Sequence, residues 1–181
     1  EPGQASLFNT TRITNVARSA GYNVKYSYRD RTQPHGGIVI ITDPAWSKIP
    51  CQTKMYEPPS KHLRGRMMSI TFDNKTQGEH NKLQIIAAHL LNSAHTKHTE
   101  TAGLLGWACA RTTEFHSKYP KASTIMMGDL NAAGDTYLDT DRTSDRTTEG
   151  TNEPDAFVLE NIGHMKLRDV LRHRYPKERV V

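Results

Sequence analysis

The sequence predicts an α+β fold in which two β-sheets stack face to face and helices cover them from outside. Three observations lead there. Apolar runs of strand length recur at 37–42, 65–72, 82–89 and 123–129, and several follow one another with no helix between them. Polar stretches at 30–37 and 73–81 suit hairpin loops. Only two long stretches, 4–20 and 96–119, carry apolar residues at helical spacing. Strands joined mostly to strands argue against strict βαβ alternation. A chain of 181 residues suits one domain, spanning 1–181, with a sizeable core.

In order, residues 4–20 read as an amphipathic helix on Leu7, Phe8, Ile13, Val16, Ala17 and Ala20, with Gly21 as its C-cap. Residues 22–29 alternate aromatic or apolar with polar side chains, a half-buried strand. The β-branched run 37–42 predicts a buried central strand, ended by Asp43-Pro44. Residues 45–63 hold prolines and little periodicity, so they read as a long loop with one edge strand near 52–56. Strands follow at 65–72 and 82–89. The helix at 96–119 presents Leu104, Leu105, Ala108, Arg111, Thr112 and Phe115 on one broad face, and Pro120 follows its end. Residues 132–151, rich in Gly, Asp and Thr, read as a functional loop. Short helices are expected at 154–162 and 167–176.

Composition narrows the function classes. Net charge is +5 and the pI about 9.3, which favours an anionic partner such as nucleic acid. No apolar run reaches bilayer length. Cys51 and Cys109 stand too far apart for a metal knuckle, which fits a reducing, intracellular setting. Glu1-Pro2-Gly3 is an unusual natural start, so a domain from a longer protein is expected. Walker-type and Rossmann-type glycine loops are absent, as are nucleophilic Ser or Cys motifs. No further ligand at standard zinc spacing follows His95, His98 and Glu100, which read as an exposed helix start, and Trp107 with Phe115 reads as core.

The richest stretch chemically is 123–131, an apolar run that stops on Gly128 and delivers Asp129 and Asn131. Strand alternation would point these two the same way. A carboxylate and a carboxamide at a strand tip can hold a hard cation or a phosphate-attacking water. They can equally form an Asx-type turn.

These residues carry a resemblance. Ile125-Met126-Met127-Gly128-Asp129-Leu130-Asn131, the strand Gly36-Gly37-Ile38-Val39-Ile40-Ile41, Arg66 at a strand start and residues 167–176 are together similar to the endonuclease/exonuclease/phosphatase superfamily. Within it the chain most resembles the endonuclease domain of LINE-type (non-LTR) retrotransposons, over nearly its whole length. The resemblance implies a four-layer α/β sandwich of the DNase-I-like type. It implies Mg²⁺- or Mn²⁺-dependent nicking of DNA, a nuclear setting and a reverse transcriptase domain in the same parent polypeptide. It places Glu1 and Asp129 as metal ligands, with Asp129 also orienting the attacking water. Asn131 and His89 become donors to the transition state, with Asn92 following His89. Arg66, Asn92, Lys97 and the region around Arg142 and Arg146 are candidate phosphate contacts, although any single one of them reads better as a solvated surface group. The family's first strand and its C-terminal Ser-Asp-His strand have no counterpart here, so the resemblance implies a domain truncated at both ends and weak activity for this chain alone. A phosphatase of the same fold and a degenerate binding or assembly module are the alternatives.

Overall fold

Two strands, β4 (Met67–Asp73) and β5 (Lys82–His89), form the middle of the protein. They run antiparallel from Met67↔Ala88 to Asp73↔Lys82, the pairing expected across a hairpin loop. The computed structural model describes residues 12–27, 37–58, 60–73, 82–91, 98–131 and 156–174. β3 (Cys51–Met55) pairs antiparallel with β4, which makes it the edge strand expected from the proline-bearing stretch. β6 (Ser123–Asp129) pairs parallel with β5, so the sheet is mixed, in the order β3–β4–β5–β6. A parallel pair needs a long crossover. The helix α2 (His98–Lys118) lies within it.

A separate two-stranded sheet joins β1 (Asn23–Tyr26) antiparallel to β2 (Val39–Thr42). It follows the helix α1 at 12–19. Gly21, at φ 85°, closes α1 as expected: its N–H donates to Arg18 O and the N–H of Tyr22 reaches back to Ala17 O. This double return is the Schellman pattern that favours glycine. Turns of 3₁₀ helix occupy Pro44–Lys48 and Lys61–Leu63. The helices α3 (Ala156–His164) and α4 (Val170–Arg174) complete the described chain.

Strand alternation divides the four-stranded sheet into two chemistries. Met67, Ile86 and Ala88 face α2 and pack with Leu104, Leu105 and Ala108, joined by Val158 and Met165 from α3 and its end. Met68, Ile70, Phe72 and Ala87 face the other way and pack under Ile40 of β2. Trp46 meets Phe72 edge-on at 4.9 Å between ring centres. The protein is therefore α+β, with a mixed four-stranded sheet and a two-stranded sheet whose Ile40 packs against it.

Two strand expectations are corrected. β2 is not a buried central strand: Ile40 is buried, but Val39 and Ile41 are exposed. β6 is likewise an edge strand, and its Ile125 and Met127 are 45% and 48% exposed. Both fall short for one reason. Burial on two faces needs a cover on each, and among the described residues the two-stranded sheet packs on β4 and β5 and not on β6. No helix among the described residues is long and apolar enough to cross a membrane.

Candidate functional site at the ends of β5 and β6

His89 and Asp129 are register partners, each the last residue of its strand. Parallel neighbours sit roughly 4.8 Å apart at the backbone. Strand parity turns both toward the face that carries Ile85 and Ala87. Asp129 is exposed and His89 half-buried. A histidine and an aspartate thus stand as neighbours on one face at one end of the sheet.

The backbone here is drawn tight. Leu90 N–H donates to Asp129 O at 2.8 Å, and His89 N–H donates to Arg66 O at 2.9 Å. Gly128 lies inside β6 rather than ending it, at φ 136°. A Cβ at that position would stand 1.9 Å from Ala88 O, so only glycine lets the two strands approach this closely. Asp129 is thereby held level with His89.

The expected convergence of Asp129 and Asn131 by strand alternation does not occur. β6 ends at Asp129, and Asn131 lies beyond it in the left-handed region at φ 47°. Its N–H donates to Asp129 Oδ1 at 3.0 Å, which is an Asx turn. Its Nδ2 donates to Leu90 O at 2.8 Å. Asn131 therefore ties the chain after β6 to the end of β5, while its own amide hydrogen bond points the Asp129 carboxylate.

Arg66 has a different role from the phosphate contact expected of it. The residue is buried, its Nε donates to His62 O, and its Nη1 donates to His89 O and Leu90 O at 3.1 and 3.2 Å. Desolvation lowers its pKa below the ordinary value, and the nearby Glu100 carboxylate opposes that shift. A guanidinium committed to three carbonyls is a strut beneath the site. An arginine at a strand start is usually solvated, so this role has no signature in the sequence.

Glu1, Asn92, Lys97, Arg142 and Arg146 lie outside the described residues. So do His95 and the 132–151 loop. Glu100 is engaged by His62, whose Nε2 lies 2.8 Å from its Oε1, while Ser60 Oγ sits 2.8 Å from His62 Nδ1. Among the described residues no group of three or more His, Cys, Asp or Glu gathers at one point. Asp129 offers a single exposed carboxylate. Mg²⁺ commonly takes one or two carboxylates and keeps its remaining ligands as water or substrate oxygen, so this donor fits that cation.

No protein-family model and no curated protein matches the chain. The class that the fold and site define is correspondingly broad: an α+β protein with a histidine and an aspartate as register partners at the end of a mixed sheet.

Proposed function

We propose that the chain is a metal-dependent phosphodiesterase module that nicks DNA, built as a DNase-I-like two-sheet sandwich of the kind found in LINE-type retrotransposon endonucleases. The observation that carries this reading is the side-by-side placement of His89 and Asp129 on adjacent parallel strands. The basic balance of the chain supports an anionic substrate.

In this reading Asp129 has two tasks. It offers an oxygen to Mg²⁺ or Mn²⁺, and it orients and deprotonates the water that attacks phosphorus. The cation, when bound, neutralises charge on the phosphate. As the new P–O bond forms, the bond to the leaving 3′-oxygen breaks and that oxygen takes up a proton from solvent. His89 donates a hydrogen bond to a non-bridging phosphate oxygen, where charge grows in the transition state. Asn131 and Arg66 position these two groups through Leu90 O and His89 O.

The exposed Ile125 and Met127 favour a second reading, a binding or assembly module of the same fold. Paramagnetic Mn²⁺ separates the two. The nuclease reading expects selective broadening of the amide signals of residues 128–131 and His89, relieved by Asp129→Ala. It also expects duplex DNA to bind more weakly when His89 is replaced by Ala. Unbroadened signals at Asp129, with DNA binding indifferent to both substitutions, would overturn it in favour of the module.

A further inference from the structure

The face of the sheet beneath α2 changes character along its length. At the His89 end it presents Met67, Ile86 and Ala88 to Leu104 and Leu105. Toward the other end, register partners Gln52, Thr71, Gln84 and Thr124 cross all four strands as a polar row. α2 changes in step, from leucines to Arg111, Glu114 and Lys118. Polar surfaces facing each other do not close as a core. A cleft of about 380 Å³ remains between them, near the lower end of the range for small-molecule sites. Gln84 and His89 are five residues apart along β5, so the cleft lies roughly 17 Å from the candidate active site.

Positive charge converges in this cleft. Lys54 Nζ and Arg111 Nη1 both contact the Glu114 carboxylate, at 3.1 and 2.6 Å. The Lys54 hydrogen bond, then the charge of Arg111 and finally that of Lys118 hold Glu114 below the usual carboxylate range. Two carboxylates line the cleft beside these cations, Glu114 and Asp73, and Asp73 is taken up by Lys82. Arg111 Nε is moreover buried with no hydrogen-bond partner among the described residues. Buried donors are normally satisfied, so this guanidinium keeps an unused N–H beside the cleft.

We propose that this cleft binds the phosphate group of a small ligand, with Arg111, Lys54 and Lys118 as the anion-binding side chains. Arg111 presents the planar donor set suited to an oxyanion, and Lys54 and Lys118 add point charges. Thr71 offers a neutral partner for hydroxyls on the remainder of the molecule, while Gln84 fixes the floor by donating to Arg111 O and accepting from Thr124 Oγ1. The site is independent of the nuclease reading, because it shares no residue with His89 or Asp129.

Titration with inorganic phosphate, followed by amide shifts in the folded protein, tests it. Saturable shifts are expected at Ser69, Thr71, Gln84 and Lys118, at constant ionic strength against a chloride control. Arg111→Met and Lys118→Met should each weaken binding about tenfold, and Arg111→Lys should restore part of it. Lys118→Met leaves the Glu114 ion pairs in place, so its loss of affinity cannot be ascribed to misfolding. Arg18→Met, on the exposed face of α1, should change nothing. The proposal is overturned if phosphate produces no saturable shift in the cleft, or if Lys118→Met and Arg111→Met bind as the parent does. It is equally overturned if only duplex DNA, and not phosphate, shifts these amides.

Discussion

At the residue scale the site depends on a glycine. Gly128 sits at φ 136° with the Ala88 carbonyl where a Cβ would go, at 1.9 Å. Alanine there must both adopt a backbone conformation that L-residues avoid and push the carbonyl of the neighbouring strand away. Gly128→Ala is expected to destabilise the protein by about 3 kcal/mol, the sum of a strained backbone and an overpacked contact. Urea denaturation should show the midpoint falling with the slope unchanged. Any residual folded protein should lose the level alignment of Asp129 with His89. The identity of these residues was legible in the sequence, since an apolar run ending in Gly-Asp-x-Asn marks a strand tip. Their geometry was not. Whether Asn131 continues the strand or enters the left-handed region depends on its bond to Leu90 O, a partner 41 residues away. Alternation rules describe a strand and say nothing of the residue just past it.

At the element scale, legibility followed how completely an element's own pattern determines its place. The helix at 98–118 was plain, because Leu104, Leu105, Ala108, Thr112 and Phe115 fall on one face and are all buried. Arg111 sits beside that face, and its meaning came only from the cleft it lines. β3 is legible as an edge from its proline neighbours, whereas the apolar content of β2 and β6 does not reveal how many sheet faces are covered. α2 is fastened to β3 by Glu114, which bonds Lys54 across the gap and Arg111 within the helix. Its depressed pKa fixes the sign of a pH effect. A carboxyl with a lower pKa folded than unfolded contributes stability above its ordinary pKa, and that contribution is lost as pH falls through the folded value. Glu114→Gln should therefore lower the melting temperature at pH 7 and flatten its decline under acid conditions. The side chain is 54% exposed, so the effect is expected to stay below about 1 kcal/mol and to shrink in high salt. A melting series from neutral pH to pH 3 on the two proteins measures it directly.

At the scale of the whole molecule, the arrangement is a layer of helices, a four-stranded sheet and a narrower two-stranded sheet laid over part of it. The consequence is an uneven core. β4 and β5 carry apolar side chains that are covered on both faces, with Met67, Met68, Ile70 and Ile86 fully buried. One strand further out, the partner of Ile85 is Ile125, which is 45% exposed although it shares the interior-facing side of the sheet. Equal chemistry at these neighbouring positions should have unequal worth. Ile86→Ala opens a void between β5 and α2 and is expected to cost about 2–5 kcal/mol, as large-to-small changes in closed cores do. Ile125→Ala removes side-chain surface that water already reaches, so a loss of about 1 kcal/mol or less is expected. Denaturant midpoints for the two variants, compared at equal slope, decide the matter. If Ile125→Ala cost as much as Ile86→Ala, the face of β6 would be covered in solution, and the molecule would be a closed sandwich. If the two costs differ as expected, β6, an outermost strand among the described residues, presents an apolar stripe to solvent. The candidate site at its tip is then built on the least supported strand of the sheet, which is why Gly128, Asn131 and Arg66 must hold it from behind.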